Sequence, residues 1–221
     1  ATTDGACVAE SIPATAGATA TANIAFNTVP GAPVLKIIGS NISTFGMTAD
    51  GKTIVGFGTD LASPAFRFTE ADGVVNIGGV GSTAAIAANG SAIVSNTLRD
   101  DGFQVASLWL GGTEWQQLPG LDGDCDGALP ITKSVAFGVS NGGRKVVGLG
   151  FLGEHCDRAR AFQWDAATGV TSMLETPAEA MQSRANGITG DGSVVWGFTV
   201  GATGFRDGAI WQNGRLKVFG N

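Results

Sequence analysis

The chain is poor in the residues that catalysis and nucleic-acid binding usually draw on. It has one histidine and three cysteines in 221 residues, and no HxxxH or CxxC spacing, which argues against the common zinc sites. It lacks a GxSxG elbow, so a serine-hydrolase triad would need His155, and no serine is placed for it. The 13 basic residues against 19 acidic ones give a net charge of −6. They form no Lys/Arg cluster, which argues against nucleic acid as a partner. No run approaches the roughly 18 apolar residues of a membrane helix. Apolar residues still make up 43% of the chain, enough to bury a full core and to exclude wholesale disorder.

Glycine is abundant, at 35 residues, about twice the roughly 7% of ordinary usage. It interrupts nearly every helical window, and Pro177 to Arg184 reads only as a loop turn. The glycines punctuate a repeat. Each copy has a short apolar segment, an Asp-Gly or Asn-Gly turn, a Val/Ile-rich segment and a variable loop. An aromatic segment, a second Gly turn and a last apolar segment complete it.

Four full copies begin near Phe45, Thr83, Val135 and Ala185, with first turns at Asp50, Asn89, Asn141 and Asp191. Two hairpin signals per unit of this length predict an all-β protein, a β-propeller of four-stranded blades. Asp-Gly and Asn-Gly suit two-residue hairpins with positive φ at both central positions. TTDGACVAES and NIAFNTVPGAPVLKIIG fit the same template with the inner strand missing. The expectation is a single domain over 1–221 with about five blades: 1–41, 42–80, 81–121, 132–176 and 183–221. The first is incomplete at the N-terminus. An open edge of this kind needs covering, which gives homo-oligomerisation through the first blade as one candidate assembly.

The segments PAFRFTEADGVVNIG, RAFQWDAATGVTSML and GAIWQNGRLKVFG, each after a DG/NG hairpin and a VVG-like strand, resemble the HAF-type extracellular repeats of bacterial surface and secreted proteins. VASLWLGGTEWQQLPG departs from that pattern, with Ser107-Leu108 in place of the usual Ala-Phe pair. The resemblance implies a β-propeller, export from the cytoplasm and attachment to a larger surface protein, with no agreed enzymatic activity. The opening ATTDGA, without Met, reads as a processed N-terminus. A secreted, periplasmic or cell-surface location follows as an expectation.

With the strands counted from the axis outward, the second-to-third loops and the blade crossovers share one face. That face carries the long variable segments, and loops on a rigid scaffold are where binding residues concentrate. Arg99-Asp100, Asp157-Arg158 and Arg206-Asp207 recur just before the third strands. With Arg160 they form the candidate ligand set, since guanidinium–carboxylate combinations can hold sugar hydroxyls or carboxylates. A repeated salt-bridged loop support explains them equally well.

In LDGDCDGA, Asp122, Asp124 and Asp126 alternate as calcium ligands do. The full EF-hand pattern fails at Lys133, and a solvated acidic turn is the other reading. Cys125 in that crossover and Cys156 in the next blade's loop are the candidate disulfide. Cys7 reads as a buried apolar residue.

His155, Glu154 and Arg158 are the only candidates for loop-borne acid/base chemistry, and they define the enzyme alternative, a polysaccharide-acting hydrolase or lyase. A glycosidase needs two carboxylates flanking the bond, and the inner segments STFGMT, TAAIAA, VAFGVS and ANGIT contain none. The reading preferred from sequence is a non-catalytic extracellular module that binds glycan or a protein surface, with calcium support. A purely architectural domain is the third alternative. The third-strand aromatics Phe66, Trp109, Trp164 and Trp211 read as packing core, with Trp115 and Trp196 the better candidates for exposed rings.

Overall fold

The computed structural model describes residues 36–58, 64–121, 132–153 and 156–219. The chain divides into two compact units, Ala1–Ile37 and Ile38–Asn221, and the described strands all belong to the second. Repeat unit 1–41 therefore lies almost wholly outside the described residues. So do the Asp122/Asp124/Asp126 loop with Cys125, the Glu154–His155 pair and Cys7.

Among the described residues, sixteen strands form four sheets, each built from four consecutive antiparallel strands. The first sheet holds β1 (Ile42–Met47), β2 (Thr53–Gly58), β3 (Ala65–Thr69) and β4 (Gly73–Gly78). The second holds β5 (Val80–Ile86), β6 (Ile93–Leu98), β7 (Gln104–Trp109) and β8 (Gln116–Gln117). The third holds β9 (Ser134–Val139), β10 (Lys145–Leu152), β11 (Arg158–Asp165) and β12 (Val170–Met173). The fourth holds β13 (Gln182–Ile188), β14 (Val194–Val200), β15 (Arg206–Gln212) and β16 (Arg215–Phe219). No α-helix occurs among the described residues. The four sheets follow the four full repeat copies.

The cores lie between sheets. Val94, Leu108 and Leu121 of the second repeat pack with Val146, Phe162 and Trp164 of the third. Val147 and Ala161 of the third pack with Ala185, Val195 and Trp211 of the fourth. Val55 of the first packs with Ala84 and Ile93 of the second. Each such branched or aromatic side chain, taken fully out of water, stabilises by about 1.5–3 kcal/mol.

The first hairpins differ from the expected two-residue form. Thr48 and Thr53, Ala87 and Ala92, and Thr189 and Val194 close each turn by a backbone bond across four residues. Only the glycines Gly51, Gly90 and Gly192 take positive φ. The preceding Asp or Asn acts through its side chain, accepting the amide of Lys52, Ser91 or Ser193 at 3.0–3.1 Å. These are Asx turns, and they need only one left-handed residue. Hydrogen bonds from the Thr189 hydroxyl and from Ser193 hold the Asp191 carboxyl at about 2, below the ordinary 3.8. The third copy is offset by one. There Gly142 holds the Asx position, and the Asn141 side chain instead accepts from the Asn89 amide of the neighbouring turn at 3.3 Å. The two-residue hairpin appears at Asn213-Gly214, where both residues have positive φ (52° and 73°).

Adjacent first hairpins are bonded to one another. Ala49 N–H donates to the Ala88 carbonyl, and Asn141 N–H to Gly190, both at 2.8 Å. Gly142 N–H donates to the Ser91 hydroxyl at 2.6 Å.

The aromatic register also differs from expectation. Phe68, not Phe66, occupies the position of Trp109, Trp164 and Trp211, as pairing with Ile54, Ile93, Val146 and Val195 shows. Phe66 and Phe162 instead face the second-strand glycines Gly56 and Gly148. A side chain at Gly56, Gly148 or Gly197 would overlap the carbonyl oxygen of Ser43, Val135 or Arg184 in the first strand. The second sheet has Ser95 there. Its β5 is bulged between Val80 and Ala85, and the Ser95 hydroxyl donates to the Thr83 carbonyl at 2.6 Å.

Candidate binding site

The second-to-third connections gather at one end of the second unit, and the first strands begin there. Two of those starts carry a buried serine that ties neighbouring sheets together. The Ala106 amide of β7 donates to Ser134 Oγ, and the Ala161 amide of β11 to Ser183 Oγ, both at 3.0 Å. The sequence assigns Gln182–Arg184 to the crossover, whereas the structure places them in β13. The alternation Gln-Ser-Arg-Ala-Asn-Gly-Ile puts its small residues, Ser183 and Ala185, on the buried side. Arg184 thereby becomes part of the face, and the sequence reading misses it.

The candidate arginines separate by role. Arg99 pairs with Asp101 at 2.6 Å, and the same carboxylate accepts the Phe103 amide at 3.2 Å, so Asp101 rather than Asp100 closes this loop. Arg99, Asp100, Asp101 and Gln117 line a shallow cavity of about 280 Å³. Arg160 reaches the crossover that enters the fourth sheet, donating to the Met181 carbonyl at 2.7 Å and to its neighbour Ala159 at 3.0 Å. Burial, reinforced by the charge of Arg158, pushes the Arg160 guanidinium below its usual range. Arg158 is exposed at the start of β11, and Asp207 lies half-buried opposite Thr199 in β15.

Arg206 belongs to a different arrangement. Its guanidinium lies 4.5 Å from the centroid of Phe198, and Arg184, the cross-strand partner of Phe198, lies 5.7 Å from the same ring. Arg184 also stacks on Phe137 of β9 at 3.9 Å and donates through Nε to the Asn186 side chain at 2.7 Å. Burial first, and the nearby Arg206 charge second, lower the Arg184 pKa. Lys52–Asp50, Arg67–Asp72 and Arg99–Asp101 are ion-paired, whereas neither of these guanidiniums has a carboxylate partner among the described residues. Arg184, Arg206, Phe198, Asp157, Gln182 and Ser183 are among the residues lining a cavity of about 250 Å³.

The exposed-ring candidates also separate. The Trp115 indole donates to the Ile77 carbonyl at 2.7 Å and packs against the core between the first two sheets. Trp196 is 45% exposed and covers Gly187. Trp211 is a core residue whose indole donates to the Glu175 carbonyl at 2.6 Å, fixing the crossover before β13. The first strands, with their observed bounds, still carry no Asp or Glu.

Solved structures with the same architecture include a TolB-type protein from Agrobacterium tumefaciens (16% identity, TM-score 0.59), covering 81% of this chain and 61% of that one. TolB from Acinetobacter baumannii matches at 12% identity and TM-score 0.58, over 80% and 43%. The β-propeller domain of the Trilobed protease from Pyrococcus furiosus matches at 13% and 0.55, over 82% and 55%. The fold is a β-propeller.

The four described sheets are its blades, and at these identities the likeness concerns the fold alone. The chain spans less than two thirds of the length of these propeller proteins. No family profile matches the sequence, so membership among HAF-type repeats has no support beyond the resemblance itself. No curated protein matches it either. No helix among the described residues is long and apolar enough to cross a membrane. No group of three or more His, Cys, Asp or Glu residues that could hold a metal occurs among them.

Proposed function

We propose that this propeller is a non-catalytic binding module, secreted, periplasmic or displayed at the cell surface. In this reading it recognises a glycan or a protein surface through its long-loop face. The observation that carries the proposal is the cavity lined by Arg184, Arg206, Phe198 and Asp157, at the end where the loops converge. It combines cations and an aromatic ring on rigid strands with an acceptor, Asp157, in the loop just before β11, the composition a polar ligand needs for orientation. The acid-free first strands support binding over glycosidic cleavage, because carboxylates delivered by loops are held less accurately than those on strands.

Two supporting features belong to the same proposal. Calcium bound by Asp122, Asp124 and Asp126 would brace the crossover between the second and third blades. A Cys125–Cys156 disulfide would join that crossover to the loop before β11. Cys156 is buried, with φ of 54° in a turn closed by its amide on the Gly153 carbonyl at 3.0 Å.

A glycan array probed with and without EDTA tests the module. Retention on a defined saccharide class, reduced by the chelator and unchanged by His155→Ala, is the expected result. Turnover of a polysaccharide that disappears in His155→Ala would replace the module with the hydrolase or lyase reading.

A further inference from the structure

The Arg184–Phe198–Arg206 arrangement narrows the ligand class, and this step rests on the binding-module reading above. Neutral sugars are usually held by the apolar face of a pyranose ring lying on an aromatic ring. At Phe198 that surface is already engaged, with guanidiniums 4.5 and 5.7 Å from its centroid. What the cavity offers is paired positive charge. Neither Arg184 nor Arg206 has an ion-pair partner among the described residues, although the chain as a whole carries a net charge of −6. Stacked guanidiniums keep their in-plane N–H donors available, and those donors match a carboxylate in two-point geometry.

Two further features point to a saccharide. Asp157 lines the same cavity, so the site cannot favour a dense run of anions, but it can accept a hydroxyl proton beside one acid group. Trp196 stands two residues before Phe198 on the same side of β14 and is 45% exposed. Strand geometry sets it about 6.6 Å along, the distance at which a neighbouring sugar ring could stack. We propose that this cavity binds an acidic saccharide, its carboxylate held between Arg184 and Arg206 and its next ring lying against Trp196.

Isothermal titration with a galacturonic-acid oligomer, the matching neutral galactose oligomer and polyglutamate tests this directly. The acidic oligomer should bind, weakening with added salt, and the neutral one should bind about tenfold more weakly or less, as loss of charge-assisted hydrogen bonds requires. Arg206→Gln and Arg184→Gln should each weaken the acidic oligomer to a similar extent. Arg67→Gln, in a distant hairpin, should leave it unchanged. Arg206 is exposed, so its variant keeps the test valid if Arg184→Gln fails to fold by circular dichroism. Equal affinity for the neutral oligomer, or binding indifferent to Arg206→Gln, would overturn the acidic-saccharide assignment and leave a glycan-binding module standing. Preference for polyglutamate would overturn it in favour of a protein ligand. Binding to none of the three would sink both this assignment and its glycan basis.

Discussion

At the scale of single residues, backbone crowding decides more than side-chain preference. The glycine in the middle of three of the four second strands is required because the first strand bends against it, leaving a carbonyl oxygen where a β-carbon would sit. Gly148→Ala should therefore destabilise by about 1–3 kcal/mol, the usual cost of overpacking, read as a lowered urea midpoint with unchanged slope. The second blade shows the alternative solution, a serine accommodated by a bulge and bonded to the strand it would otherwise displace. The repeat made the glycines visible in the sequence but not their cause, since the clash involves a backbone atom of another strand. The Phe66 misplacement has the same origin. Phe66 and Phe68 are both aromatic and two apart, so alternation alone cannot say which one matches Trp164.

At the scale of strands and turns, the hairpins were legible in place and only partly in form. Asp-Gly or Asn-Gly located every first turn within one residue. The Asx bond replaced the second positive φ, and Asn141 was read one position out because Gly142-Gly143 offers two equivalent turn glycines. The start of β13 was hidden for a different reason. Gln182-Ser183-Arg184 is polar, and its buried member is a serine whose burial depends on accepting an amide from the neighbouring blade. Ser183→Ala should leave the Ala161 amide without that acceptor at a cost of about 1–3 kcal/mol, measured by chemical denaturation. Faster exchange of the Ala161 amide by NMR should accompany it. Ser183→Thr, which keeps the acceptor, should recover part of the loss. A serine in the same register of two copies, Ser134 and Ser183, was the available signal.

At the scale of the whole molecule, the four described blades follow the four full repeats, and the loop-rich end carries the candidate site. The sequence located that end from connectivity alone, because antiparallel strands place their connections alternately at opposite ends. It could not choose among the arginines, because Arg99 is absorbed by Asp101 and Arg160 by the carbonyls of a crossover, whereas Arg184 and Arg206 line a cavity with no ion-pair partner among the described residues. The proposed Cys125–Cys156 link would join two neighbouring blades across the longest crossover. Mass spectrometry after alkylation without reductant should find both cysteines unlabelled, and both labelled after reduction. Labelling of both before reduction would remove the bridge and weaken the case for an oxidising compartment.

The first hairpins are buttoned to one another by main-chain and side-chain bonds from Ala49, Asn89, Asn141 and Gly142. Alignment of the sheets is thus secured at the end remote from the cavity. At the opposite rim the sheets are tied from within their first strands, by Ser134 and Ser183, rather than by the variable connections. They can be lengthened, shortened or chemically recast from one copy to the next while the scaffold keeps its register, which makes that rim the natural place to graft a new specificity.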